Sequence, residues 1–292
     1  MACAPKLKRT RFAPSPTGPL HLGHALAALT AAGRADPGAF LLRMEDIDQS
    51  RCRASWEAQI YEDLHWLGLH WPEPVWRQSE RLGTYEIALN QLISRGLCYP
   101  CSCTRADIRA ALSAPQEGAP LLGPDGVVYP GTCRHRDMSD AAQGDAIRLD
   151  MARAVACLTG DETFQETGPA HRGLYKLDQN WLINHCGDIV LSRRDMATSY
   201  HLAVVVDDAA QEITEVTRGE DLFEATFIHR LLQALLALPT PAYHHHQLVR
   251  DAAGKRLAKR DDARSLQFYR SSGRSPAEVR AMIGFCDGIS ES

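Results

Sequence analysis

The sequence predicts an α/β protein, a doubly wound sheet interrupted by an inserted module. Three observations lead there. The chain opens as strand, helix and strand; from Leu97 to about Phe164 it turns to Cys, Pro, Gly and Asp with little long periodicity; short apolar runs then resume around a long amphipathic helix. Lys8 to Ala13 reads as a strand entering the turn Pro14-Ser-Pro-Thr-Gly-Pro19, and Leu22 to Arg34 as an alanine-rich helix. Ala39-Phe-Leu-Leu-Arg43, after Pro37-Gly38, is a second buried strand, which makes a β-α-β start. Trp56, Ile60, Leu64 and Leu67 recur at helical spacing between Ala54 and Leu67 until Gly68 stops the run, and Thr84 to Arg95 is a further helix closed by Gly96. After the module, Asp188 to Ser192, His201 to Val206 and Glu212 to Thr217 are strand-like. Glu220 to Leu238 reads as one helix ended by Pro239, and Tyr243 to Leu248 as a last strand. The tail closes with Ser275-Pro-Ala-Glu278, which fits a capping box with Pro at N1.

Composition narrows the class. Of the 292 residues, 45% are hydrophobic and 23% charged, ordinary for a soluble chain. The N-terminus goes from charge into a strand without an apolar signal region, and no apolar run approaches about 18 residues, so the expectation is a cytosolic protein without a membrane role. Nine cysteines, an odd number, point to free thiols or metal ligation in place of a disulfide framework. The net charge of -4 gives no global attraction to nucleic acid, yet residues 244 to 280 hold nine Lys/Arg against four Asp/Glu, an excess of five positive charges. A phosphate backbone could dock there.

Three constellations carry chemistry. His21 and His24 sit on the first turn of a helix whose N-terminus presents N–H groups to an anion, where imidazole donors can stabilise charge developing on a phosphate. A helix cap with two surface histidines is the plainer reading. Gly254-Lys-Arg-Leu-Ala-Lys-Arg260 places four cations in six positions after a glycine, a basic loop able to close on pyrophosphate. Cys101-Ser-Cys103 with Cys133 places three thiolates in a segment lacking a large core, where zinc commonly supplies stability. The fourth ligand is open on this reading, His135 being the ordinary chemical choice.

With those residues in view the chain resembles the class I aminoacyl-tRNA synthetases. His21-Leu-Gly-His24 matches their HIGH signature and Arg256-Leu-Ala-Lys-Arg260 is a degenerate KMSKS. Arg11-Phe-Ala-Pro-Ser-Pro-Thr-Gly18, Arg43-Met-Glu-Asp-Ile-Asp48, Tyr200-His-Leu-Ala-Val-Val-Val-Asp-Asp208 and Arg218-Gly-Glu-Asp-Leu222 look like the glutamyl branch. The resemblance implies a Rossmann-type nucleotide-binding fold, with ATP held by His21, Gly23, His24, Arg256 and Lys259, and with His21, His24 and Lys259 catalytic. It implies a glutamate pocket of Arg11, Ser15, Glu45, Tyr200 and Arg218: guanidinium forks for carboxylate, Glu45 for the ammonium group. Arg11 is expected to set selectivity, and Arg43 is read as a structural ion-pair residue. Arg256 and Ala258 depart from KMSKS by an altered cation and a lost hydroxyl.

The chain stops 32 residues after Arg260, too short for an independent anticodon-binding domain. That length, with the Cys-x-Cys and Tyr-x3-Cys pattern, resembles the glutamyl-queuosine tRNA(Asp) synthetases, which implies Tyr129 as the fourth zinc ligand beside Cys101, Cys103 and Cys133. The expected division is 1–96 and 166–245 as the two halves of the catalytic domain, 97–165 as the zinc module, and 246–292 as the KMSKS-like loop with a short helical region contacting an RNA stem. Expected substrates and partners are L-glutamate, ATP with Mg2+, and tRNA(Asp) carrying queuosine, acted on by a monomer. The other readings are a shortened synthetase charging a tRNA 3' end, a small-molecule adenylating enzyme, and a non-catalytic RNA-binding relative. The remaining cysteines, Cys3, Cys52, Cys98, Cys157, Cys186 and Cys286, are read as structural or incidental.

Overall fold

The computed structural model of the chain describes residues 7–113, 122–193, 195–249 and 264–285. Strand β1 (Thr10–Phe12) leaves through the Pro/Gly turn into helix α1 (Leu22–Arg34), and β2 (Phe40–Met44) returns parallel to β1 with Thr10 opposite Phe40. Ala25, Ala28 and Ala31 are buried with Leu22 and Leu29, so the face of α1 turned to the core is largely small side chains. Helix α2 (Ala54–Trp66) leads to β3 (Trp76–Arg77), parallel to β2, and to α3 (Leu82–Ser94). Gly68 (φ 79°) and Gly96 (φ 68°) follow the ends of α2 and α3 in the left-handed conformation that glycine adopts without a Cβ clash.

The inserted segment holds β4 (Cys98–Cys101), α4 (Arg105–Ser113), the short hairpin β5 (Leu122–Gly123) and β6 (Gly126–Val127), β7 (Ala146–Leu149) and α5 (Met151–Ala156). There follow β8 (Thr163–Glu166), β9 (Gly173–Lys176), α6 (Gln179–Trp181), β10 (Val190–Ser192), α7 (Tyr200–Ala210), β11 (Glu215–Gly219), α8 (Ala225–Leu235) and β12 (Ala242–His246). The chain ends in α9 (Leu266–Ser271) and α10 (Pro276–Met282).

β11 runs parallel to β12 and β12 parallel to β8, with β9 antiparallel at the edge. The β1 end of the first sheet meets β11: Thr214 and Glu215 N–H donate to the Arg9 carbonyl at 3.0 and 3.2 Å, and Arg11 Nη1 donates to the Thr217 carbonyl at 3.3 Å. Both contacts advance by two residues, so β1 and β11 run the same way, and two separately hydrogen-bonded sheets abut there in the order β3-β2-β1 then β11-β12-β8. In such an arrangement the reversal of strand order, here between β1 and β11, opens a crevice at the carboxyl ends where ligands bind.

Three sequence expectations change. His201 to Val206 is not a strand but part of α7, in which residues 201 to 208 are all buried; over that short run no solvent-facing stripe marks a helix, and its valines imitate a strand. Ser199 starts it, its side chain accepting from Leu202 N–H. The strand expected at Asp188 to Ser192 forms over Val190–Ser192, but it pairs antiparallel with β7 of the inserted segment, not with the main sheet. Glu220 to Leu238 is not one helix: Glu220–Leu222 is a 3-10 turn, α8 ends at Leu235, and Ala237 has a φ of 53°. The tail's capping box forms as read, Ser275 accepting from Glu278 N–H and the Glu278 carboxylate from Ser275 N–H. Among the described residues no helix is long and apolar enough to cross a membrane.

Candidate active site

His21 is the N-cap of α1. Its Nδ1 accepts from Gly23 N–H at 3.1 Å, while His24 Nδ1 accepts from His21 N–H at 3.1 Å, a capping box made by two imidazoles whose rings lie 3.8 Å apart. The helix cap and the histidine pair expected to meet phosphate are therefore the same two residues. An accepting Nδ1 places the proton on Nε2, so each ring is a neutral N–H donor. Gly23 permits this: a Cβ there would come 3.0 Å from His21 Cε1.

At the crevice between β1 and β11, a cavity of about 430 Å³ is lined by Arg11, Ser15, His21, Gly23, His24, Glu45, Tyr200 and Arg218. Those are all the expected ATP- and glutamate-binding residues that lie among the described ones. Lys259 and Arg256 lie outside them, as does the rest of the KMSKS-like segment. The described residues on either side of that segment reach the same place, Val249 lining the cavity and Ser265 bridging to His21.

The cavity's cations differ in what neutralises them. Arg11 donates from Nε and Nη2 to the two oxygens of Asp208 at 2.9 and 3.2 Å. Arg43, fully buried, adds Nη1 to the same carboxylate at 2.9 Å and approaches Asp207 at 3.7 Å and Glu45 at 3.4 Å, as its reading as a structural residue expects. Burial opposes the ionisation of Asp208, but Arg11 and Arg43 hold its carboxyl below the usual range. Burial pushes the Glu45 carboxyl up, against Arg43 and Arg11. Arg218 is surrounded by neutral acceptors: Nε donates to His245 Nε2 at 3.0 Å, Nη1 reaches His229 Nδ1 at 3.0 Å and the Tyr200 hydroxyl at 3.5 Å, and Nη2 donates to Thr226 Oγ1 at 2.7 Å. Sequence reasoning missed Asp208, His229 and His245. Asp208 lies 197 residues from Arg11, while His229 and His245 reach Arg218 from a different helix and strand, 11 and 27 residues on.

The thiols of Cys101, Cys103 and Cys133 lie within 4.8 Å of one another, and His135, exposed, is not among them. Tyr129 is: its hydroxyl is 3.4 Å from both Cys101 Sγ and Cys103 Sγ, with Cys103 and Cys133 Sγ 3.5 Å apart. Around a tetrahedral zinc with bonds of about 2.0 to 2.3 Å, neighbouring ligand atoms are spaced roughly 3.4 to 3.8 Å. The donor set therefore fits such an ion. Burial would raise the Cys133 thiol, yet hydrogen bonding with Tyr129, Ser102 and Cys103 takes it down to about 6. Cys103 and Tyr129 also line a larger cavity of about 1150 Å³, which shares Ser15, Glu45 and Tyr200 with the first. The cysteines among the described residues are free thiols.

A parallel-sheet crevice fronted by a paired-histidine helix cap defines a nucleotide-using α/β enzyme, and the family of class I tRNA synthetases (E and Q), catalytic domain, matches residues 8–287. The chain belongs to that family and is an enzyme of the ligase class. A glutamyl-Q tRNA(Asp) synthetase of Rhodobacter capsulatus is 60% identical over 278 residues, covering 94% of this chain and 99% of that one. Another, from Albidiferax ferrireducens, is 42% identical over 267 residues, 88% of this chain and 85% of that protein. Within the class, the chain belongs to the glutamyl-Q tRNA(Asp) synthetases. The crystal structure of a glutamate tRNA ligase from Elizabethkingia meningosepticum in complex with its amino acid superposes with a TM-score of 0.67 at 29% identity, over 88% of this chain but 53% of that one. The chain thus spans about half the length of that ligase.

Proposed function

We propose that the protein activates L-glutamate with ATP, without tRNA, and then transfers the glutamyl group to the cyclopentenediol of queuosine at the wobble position of tRNA(Asp). One observation carries this reading: a single cavity gathers the two imidazole donors, a carboxylate and a guanidinium that pairs with no carboxylate among the described residues. In the first step a glutamate α-carboxylate oxygen forms a bond to the α-phosphorus of ATP and the bond to the bridging oxygen breaks, so pyrophosphate leaves. His21 and His24 stabilise charge that grows on the phosphate, Lys259 and Arg256 act on the departing pyrophosphate, and Mg2+ accompanies ATP. In the second step a queuosine hydroxyl attacks the adenylate carbonyl and AMP leaves.

In this reading residues 1–96 and 166–245 form the two catalytic halves, 97–165 the metal-holding insert, and 246–292 the basic loop and stem-contact region. Cys101, Cys103, Cys133 and Tyr129 would hold one structural zinc. An unpaired anticodon loop is accessible to a protein as duplex bases are not. The test is incubation with labelled glutamate, ATP, and queuosine-modified tRNA(Asp), unmodified tRNA(Asp) or tRNA(Glu), followed by nuclease digestion. Label confined to the modified nucleoside is the expected result. Label on a 3'-terminal adenosine would overturn the choice of acceptor.

A further inference from the structure

Arg218 is 6% exposed, and among the described residues no carboxylate forms an ion pair with it. That sets it apart from Arg11 and Arg43, whose charges meet Asp208 directly. A guanidinium has five N–H donors and no acceptor, so every atom it donates to must offer a lone pair. Its contacts fix the tautomers around it. His245 accepts at Nε2 and so carries its proton on Nδ1, which faces Glu166 Oε2. His229 accepts at Nδ1 and carries its proton on Nε2, 3.0 Å from His201 Nδ1; His201 then turns its own Nε2–H to Asp125 Oδ1 at 3.4 Å. Two relays, each ending in a carboxylate, converge on one cation without bringing an anion against it.

We propose that His229 and His245 are positioning residues for the amino-acid substrate, two neutral acceptors that hold the Arg218 fork in place while leaving its charge uncompensated for a substrate carboxylate. The proposal rests on the reading that glutamate occupies this cavity. A carboxylate at either histidine position would orient the fork equally well but would neutralise it, and the substrate would then compete with a built-in anion. A buried cation without an anionic partner is costly, and a ligand that supplies the anion relieves that cost. The packing keeps His229 neutral: burial and then the nearby positive charge of Arg218 hold its pKa well below the ordinary value, with His201, Arg11 and His245 acting the same way. Burial likewise lowers His245, against its bond to Glu166.

Glutamate and glutamine at position 229 have nearly the same shape and differ in charge, so a role limited to packing treats them alike. Glutamate-dependent ATP–pyrophosphate exchange with the full-length protein reads the difference. H229E is expected to raise KM for glutamate at least tenfold with KM for ATP unchanged, and H229Q, which keeps a neutral acceptor, to stay within about threefold of the parent. Equal glutamate KM values in the two variants would overturn the proposal. R218A separates the two layers of argument: an unchanged glutamate KM there sinks the placement of glutamate itself, whereas a raised one with H229E and H229Q alike sinks only the reserved charge. Should H229E not fold by circular dichroism, T226D against T226N repeats the comparison at the third acceptor, 2.7 Å from Nη2, with the same expected order and the same overturning result.

Discussion

Arg11 grips Asp208 through two bonds, Nε to Oδ1 at 2.9 Å and Nη2 to Oδ2 at 3.2 Å, although the residues are 197 positions apart in the chain. Arg43 takes the same carboxylate from β2, so one anion of α7 fastens the first two strands. Asp208→Asn would take from Arg11 its one ion-pair partner among the described residues and from Arg43 the nearest of three. Removing one partner of such a cluster costs about 3–5 kcal/mol, so the urea midpoint should fall sharply. An unchanged midpoint would show that the three charges are not coupled.

The same clamp bears on selectivity. Arg11, the selectivity residue expected from the sequence, already has its charge met, whereas Arg218 meets no carboxylate among the described residues. Arg218→Ala should therefore raise KM for glutamate more than Arg11→Ala does, and should erode the preference over glutamine more, because a neutral amide cannot replace a carboxylate on an unpaired guanidinium. The opposite order in amino-acid-dependent pyrophosphate exchange would return selectivity to Arg11.

His24 has two duties, and one substitution separates them. Its Nδ1 completes the cap of α1, and its ring lines the cavity proposed to take the phosphates. His24→Ala should lower stability by about 1 kcal/mol through the lost cap. It should lower kcat for pyrophosphate exchange about 100-fold through the lost donor, with KM for ATP little changed. Undiminished exchange beside a lowered melting temperature would leave His24 as a cap only.

These relationships mark what the sequence made legible. Helix ends were readable because their causes are local: Gly68 and Gly96 at positive φ, and the Ser275–Glu278 box three residues apart. The eight described residues implied by motif resemblance do meet at one cavity. What surrounds them was not readable. Asp208 lies just beyond the run His201 to Val206 that reads as a strand, and only the wider spacing, with Tyr200, Asp207, Asp208 and Gln211 along one helical face, points to a helix. His229 and His245 reach Arg218 from separate elements, 11 and 27 residues away, and no local pattern announces a tertiary acceptor. The pairing of β10 with β7 is likewise a long-range event between short strands of ordinary composition.

Acid should destabilise the fold before its carboxylates titrate. Burial lowers the pKa of His229, His244, His245 and His246, in His244 from 6.5 to about 4. A depressed folded pKa means that the unfolded chain takes up protons first, so stability is complete above about 6.5 and falls as pH drops from there towards the folded values. For His244 alone the shift corresponds to something on the order of 3 kcal/mol. Urea midpoints measured between pH 7.5 and 4.5 should decline from below pH 6.5, and His244→Asn should flatten part of the slope. A level profile down to pH 5 would show that these rings do not control acid stability.

The three thiols and Tyr129 enclose a cluster whose buried members among the described residues are Tyr99, Cys101, Tyr129 and Cys133, too few for an apolar core to hold the segment by itself. One equivalent of zinc is therefore expected by metal analysis of the purified protein, lost in Cys101→Ser and reduced in Tyr129→Phe. Chelation should speed amide hydrogen exchange over 98–149, where β4 and β7 hold the cluster, more than in β1, β2 or β11. Because Cys103 and Tyr129 line the larger cavity that opens onto Ser15, Glu45 and Tyr200, metal loss should impair transfer to RNA more than glutamate activation. Protein that purifies without metal, with the same exchange pattern before and after chelation, would remove the ion from the account. Zinc retained at full occupancy in Tyr129→Phe would move the fourth ligand elsewhere, and His135, exposed nearby in sequence, is the first residue to substitute next.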